Sequence, residues 1–427
     1  MSSPEHSIIA DQHPGSRDTA QPSAPHDFHA RSLTGLGFAH AANDTYAAFL
    51  PPLLPALIQK LSLSNTQAGL VAFASSSPSL LQPFIGYLSD RADLRYLVII
   101  GPAVVATGMS LLGIAPGLVA LALLVTIAGL GSAAFHAVAA PIAGQLSGRK
   151  LGRGMGLWML GGTLGFAVGP LLVVAAMNSL SLDGTPWLMI GGWAASAILF
   201  VSLRRVPAGA VRVAKLNSWR EGLSILKPIL LPVAGITLMR ALLVTATFTF
   251  LPTYLTAQGA TLSFAGVSVS IMAASGMVGC LLGGSMSDRW GRRPVLFAFV
   301  IAAPLLAFAL LAARHWTLLP VLILLGTVIA PSNVIMLALV QEFSPANRAF
   351  ATGIYHALGF TSESVAAVAV GILGDLFGLS FAIAASAILM LMSLPLVRLL
   401  PAGQGTPSGG EHFLSEPCPT QSHNRPD

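Results

Sequence analysis

Twelve long apolar stretches follow one another along this chain, and they decide what it can become. They cover 33–58, 66–88, 96–115, 118–146, 155–177, 186–203, 228–256, 263–286, 295–313, 316–340, 350–373 and 379–400. A helix that crosses a bilayer needs about 20 mainly apolar residues, and each stretch is close to or above that length. A membrane β-barrel needs alternating segments of about 10 residues instead. These runs are continuous and too long for that, so the expected fold is all-α and integral to the membrane. Charged residues make up only 9% of the chain, against about 25% in a soluble domain. That deficit excludes a soluble enzyme, a disordered chain and a nucleic-acid binder; lipid is the main solvent and the first partner.

The few charges are arranged by loop. Of 22 Lys and Arg, 19 fall in the N-terminal tail, the even-to-odd loops between spans and the C-terminal tail. Lys60 and Arg314 are on the opposite side, and Arg240 lies inside a span. Cytoplasmic loops are the basic ones, so both termini are expected in the cytoplasm and the protein in a bacterial inner membrane. The net charge of +6 is then a topology signal and points to no polyanion partner. Residues 1–30 hold four His but no apolar stretch behind a basic start, so no cleaved signal peptide is expected. Two cysteines, Cys280 and Cys418, build neither a disulfide framework nor a thiolate metal site.

The longest and most basic connection, 204–227, divides the chain into an expected six-helix bundle over 33–203 and a second over 228–400. Tails at 1–32 and 401–427 are polar or rich in Pro, Gly and Ser and are expected to be disordered. The halves repeat. Ser89-Asp90-Arg91 returns as Ser287-Asp288-Arg289, and Phe49-Leu50-Pro51 returns as Phe250-Leu251-Pro252. Arg153 before span 5 has its counterpart in Arg348 before span 11. A duplicated six-helix half is the layout of transporters that rock two bundles about a site near the midplane.

The loop Gly284-Ser-Met-Ser-Asp288-Arg289-Trp-Gly291-Arg292-Arg293 resembles the G-x-x-x-D-R-x-G-R-R/K loop of the major facilitator superfamily. A shorter copy, Gly86-Tyr-Leu-Ser-Asp90-Arg91, stands in the first half. The resemblance implies a conformational latch built from Asp90, Arg91, Asp288, Arg289, Arg292 and Arg293, with ion pairs across the seam between the halves. Glu342-Phe-Ser-Pro345-Ala-Asn-Arg348 resembles a further acid-to-Arg turn of that family, which adds Glu342 and Arg348 to the latch. His40-Ala-Ala-Asn43-Asp44, Gln82-Pro83-Phe84-Ile85-Gly86-Tyr87 and Gly129-Leu-Gly131-Ser-Ala-Ala-Phe135-His136 are similar to motifs of the fosmidomycin-resistance branch. The Pro-Glu that follows in that branch is Ala137-Val138 here. Gly161-Gly162-Thr-Leu-Gly165-Phe-Ala-Val-Gly169-Pro170 in span 5 looks like the Gly-rich motif of drug antiporters, and equally like a helix-packing seam.

Ionisable groups inside spans cost about 2.5–3.5 kcal/mol each on insertion scales, and they usually mark function. Here they are His40, Asp44, His136, Arg240, His356 and Glu363. His40 and Asp44 are four apart and share a helix face; His356 and Glu363 are two turns apart. Asp44 is the first candidate for the proton-linked carboxylate and Glu363 the second, with His40 beside Asp44. Asn43, His136, Arg240 and His356 are the candidates for the substrate cavity. Arg240 is expected to be either the counter-charge of Asp44 or the anchor of an anionic substrate.

No nucleotide-binding loop, metalloprotease helix or nucleophile elbow occurs. No cofactor and no enzymatic activity are therefore expected. The expected function is proton-coupled export of a small drug or metabolite by a monomer of the major facilitator fold, an efflux antiporter. The alternatives are proton-linked uptake of a small organic anion, with Arg240 as its anchor, or a non-transporting receptor on the same scaffold.

Overall fold

The computed structural model describes residues 28–89, 92, 94–203, 219–344 and 348–401. All twelve expected segments are helical, and no strand occurs among the described residues. Ten of the helical segments are long and apolar enough to cross a membrane, from Arg95–Ile114 to Leu379–Leu399. The other two are spans 1 and 2, which are built from shorter pieces. Span 1 is Ala30–Ala47 followed by Leu50–Leu61, and span 2 is Asn65–Ser76, a 3-10 stretch at Ser77–Leu81, and Gln82–Ser89.

The breaks follow the internal repeat. Span 1 restarts at Leu50 with Pro51 in its first turn, where the fixed φ suits a helix start and no amide is lost. Span 7 does the same at Leu251 with Pro252, after a π-helical turn at Thr245–Thr249. The two copies of Phe-Leu-Pro therefore mark equivalent interruptions in the two halves. Span 10 is broken as well, between Leu318–Ile329 and Pro331–Phe343.

The outer faces of the bundle carry Leu123, Phe200, Leu231, Leu281, Leu305 and Met392, each at least half exposed. Such a surface is stable only where lipid covers it. Trp187, Trp290 and Trp316 stand exposed near helix ends, the levels at which indoles favour the membrane interface.

The halves are joined at the end of the molecule opposite the basic loops. Span 2 packs on span 11 and span 5 on span 8. Asp375, at the end of span 11, accepts hydrogen bonds from the backbone N–H of Asn65 (2.7 Å) and Thr66 (2.8 Å). It thereby caps the first turn of span 2 in the other half, where unpaired N–H groups favour an anion. Ser263 donates to the Asn178 side chain at 3.0 Å and ties span 8 to span 5. Toward the basic end, by contrast, the helix Gln82–Ser89 of span 2 buries none of its residues. The bundle is closed at the non-basic end and splayed at the basic one.

Candidate functional site

In the first half the charged groups of spans 1 and 4 form one cluster. Asp44 lies between two imidazoles, its Oδ2 3.2 Å from His40 Nε2 and its Oδ1 3.4 Å from His136 Nε2. The two Nε2 atoms are 3.1 Å apart. Asn43 donates to Asp44 Oδ1 at 2.9 Å and to Ser132 Oγ at 3.1 Å, which joins span 1 to span 4. His40 and Asp44 are 5% and 4% exposed; the His136 side chain keeps 28%. Each ring is oriented by its other nitrogen. His40 Nδ1 donates to the Trp158 carbonyl at 2.9 Å, and His136 Nδ1 donates to the Ser132 carbonyl at 2.8 Å. The His40 ring also stacks on Trp158, with centroids 3.9 Å apart and planes at 22°.

The glycine run of span 5 explains how a carboxylate and two rings fit here. Gly161, Gly165 and Gly169 sit on the carbonyls of Gly37, Ala41 and Thr45, so the two helix backbones touch along three turns. A Cβ on Gly162 would lie 2.5 Å from two atoms of the His40 ring and 2.9 Å from Asp44 Oδ2. The motif is the seam that holds span 1, with His40 and Asp44, against span 5.

The second half is built more loosely. Arg240, 7% exposed, places Nη2 3.4 Å from Asn333 Oδ1 and 3.7 Å from Glu363 Oε1. Asn333 Oδ1 also accepts from the Tyr355 hydroxyl at 2.7 Å. Arg240 Nε is buried without a hydrogen-bond partner, and the Glu363 side chain is 38% exposed. The expected pairing of Asp44 with Arg240 is therefore corrected. The partners of Asp44 are His40 and His136, and the partner of Arg240 is Glu363. Spans 1 and 7 meet through Leu50–Leu61 and Leu251–Ala257, beyond the level of either charge, so each charge finds a partner within its own half. His356 is not brought to Glu363; it is exposed and stacks with Phe360, ring centroids 6.1 Å apart.

Of the latch residues, Arg292 is the hub. It forms an ion pair with Asp288, donates to Glu342 from Nε (3.0 Å) and Nη2 (2.8 Å), and donates to Ser287 Oγ. Glu342 and Asp288 thus both meet Arg292, but these pairs lie inside one half and not across the seam. Arg289 and Arg293 make no ion pair among the described residues. Asp90 and Arg91 lie outside the described residues, as does the side chain of Arg348.

Sequence reasoning missed Trp158, Ser132, Asn333 and Tyr355, because a carbonyl acceptor or a neutral side chain gives no signal in an apolar run. His40, Asp44 and His136 are the described residues that could together hold a metal ion.

The Major Facilitator Superfamily profile matches residues 36–345 and again 281–421. An uncharacterized MFS-type transporter of Bacillus subtilis, YfnC, is 28% identical over 384 residues, covering 86% of this chain and 92% of the relative. The fosmidomycin resistance protein of Escherichia coli is 24% identical over 356 residues, covering 80% and 86%. Among solved structures, the fold is shared with a D-xylose-proton symporter (TM-score 0.73, 14% identity, 89% and 99% covered). It is also shared with the nucleoside transporter NupG (TM-score 0.68, 19% identity, 87% and 98% covered).

Proposed function

Because this chain belongs to the major facilitator superfamily, we propose that it is a secondary transporter that exports a small drug or metabolite in exchange for protons. The basic loops face the cytoplasm, so the bundle as it stands is open inward and closed outward. Transport follows from alternating which end is closed around a site between the halves.

The observation that carries the coupling is the Arg240–Glu363 contact. A carboxylate inside a span is tolerated when a guanidinium neutralises it. At 3.7 Å, with the Glu363 side chain 38% exposed, the contact is loose and reachable from water. A proton arriving on Glu363 removes its charge and frees Arg240, whose Nε already lacks a partner. Exchange requires that proton and substrate exclude one another at this carboxylate: a donor or cationic group of the substrate pairs with charged Glu363 and is released when a proton neutralises it. Asp44 was the first candidate for this role. It faces two imidazole nitrogens that are themselves bases and an amide that donates to it, so a proton that reaches this cluster is shared, while one that reaches Glu363 meets a single carboxylate.

Export is favoured over uptake by the similarity to a fosmidomycin resistance protein, since a transporter can confer resistance to a compound by carrying it out of the cell. The unpartnered Arg240 Nε supports a second reading, uptake of an organic anion bound at the same guanidinium. A growth panel of toxic compounds in an efflux-deficient host separates the two. Resistance conferred by this chain, and lost in Glu363→Gln, supports export; hypersensitivity supports uptake.

A further inference from the structure

The mutual geometry of His40, Asp44 and His136 points to a second binding site in the first half: we propose that this triad binds one divalent transition-metal ion of the zinc class.

Tautomers come first. Each imidazole uses its Nδ1 as a donor to a backbone carbonyl, Trp158 for His40 and Ser132 for His136. In a neutral ring the Nε2 is then a bare lone pair. Both lone pairs converge, 3.1 Å apart, and both face the carboxylate of Asp44. Three electron-rich groups are thus collected in a place that is almost closed to water, and something positive must hold them together. One shared proton satisfies two of the three groups. Two protons pair both rings with Asp44 but leave two imidazolium ions in contact. A single dication satisfies all three.

The spacing agrees. Ligands at about 2.0–2.1 Å from a tetrahedral zinc ion lie about 3.3–3.4 Å from one another. The two Nε2 atoms are 3.1 Å apart, and the carboxylate turns Oδ2 to His40 at 3.2 Å and Oδ1 to His136 at 3.4 Å, donor spacings close to the edge of such a tetrahedron. The outer contacts agree as well. Metal-bound histidines almost always donate their second nitrogen to a carbonyl or carboxylate, and a ligating carboxylate is itself hydrogen-bonded. Here both rings do the first, and Asn43 supplies the second at 2.9 Å. Asn43 Oδ1 is buried without a partner, so an unused acceptor remains beside the site. Two imidazoles and one carboxylate leave a fourth position, and the partial exposure of His136 puts that position toward water, where a water or a chelating group of a ligand completes the shell.

The site is independent of Glu363 and of the direction of transport, and its readout is binding, so its failure would leave the coupling proposal untouched. The full-length protein, purified in detergent with any affinity tag removed, is titrated with Co2+, whose visible absorption reports four-coordinate binding, and then competed with Zn2+. One metal ion per chain is expected. His136→Gln, at the partly exposed ligand, should weaken binding at least ~10-fold, since even outer-shell changes cost about that much; Asp44→Asn should do the same. His315→Gln, at an exposed loop position, should bind as the parent does. The N-terminal histidines are present in every variant, so the differences report on the triad alone. If Asp44→Asn does not fold, His136→Gln decides. Absence of a saturable cobalt band, or equal affinity in His136→Gln and the parent, would overturn the proposal.

Discussion

The two halves share the interruption at Phe-Leu-Pro, yet they treat their buried charge in opposite ways. In the first half Asp44 meets two imidazoles and an amide within 3.4 Å, and each of these groups is held by a further contact. In the second half Glu363 meets one guanidinium at 3.7 Å, and that guanidinium leaves a nitrogen unpartnered. The repeat preserved the interruptions at Pro51 and Pro252 but not the chemistry beside them. A dense cluster resists change because every loss exposes a buried polar group. A loosely paired one can switch partners. The first half is built to hold and the second to trade.

The comparison breaks if the first site can lose its charge cheaply. Asp44→Ala removes the carboxylate that faces both imidazoles and should cost about 3–5 kcal/mol, the range for breaking a buried ionic contact. Thermal unfolding in detergent checks this, and a variant as stable as the parent would reject the fixed role. Gly162→Ala comes next. Its methyl group meets the His40 ring at 2.5 Å, and relieving that overlap should cost about 1–3 kcal/mol. Gly156→Ala in the same span meets nothing within 4 Å and should raise the unfolding temperature slightly, since Ala is favoured over Gly inside a helix by about 0.5–1 kcal/mol.

The second site should be more forgiving. Arg240→Ala leaves Glu363 without its partner, but that side chain reaches water, so a loss of about 1–2 kcal/mol is expected. A destabilisation larger than that of Asp44→Ala would reverse the comparison. The smallest effect belongs to the closed end. Asp375→Asn keeps the shape of the cap but weakens two charge-assisted hydrogen bonds, worth about 1 kcal/mol at an exposed position. That is enough to shift a two-state balance several-fold. A cysteine placed at Ser263, under the closure, should then react faster with an impermeant reagent added from outside. An unchanged rate would show that Asp375 caps span 2 without holding the halves together.

How much of this was legible follows from what a sequence encodes. Apolar length fixes a span, so 118–146 coincides with the helix Leu118–Leu146. Helical periodicity fixes neighbours on one face, so His40 and Asp44 were expected together and are. Partners on other spans depend on rotation and register, which an apolar run does not carry. His136 therefore had no assigned partner. Of the two readings of Arg240, the one that set it against Asp44 chose the wrong carboxylate, because the sequence does not carry the distance between the halves. The Gly run of span 5 was ambiguous in the sequence; the close seam against Gly37, Ala41 and Thr45 explains it as packing. Asp375 caps a helix turn that stands 310 residues away, a partner that no local pattern names.

The central claim is that the proton which drives transport is taken by Glu363. Reconstituted vesicles loaded with a substrate from the growth panel allow two assays on one preparation: transport driven by an imposed pH gradient, and exchange of labelled for unlabelled substrate at equal pH. Glu363→Gln keeps nearly the same shape and cannot titrate. The variant should lose gradient-driven transport and retain exchange, because alternating access survives while the proton no longer matters. Full gradient-driven transport by Glu363→Gln would contradict the claim.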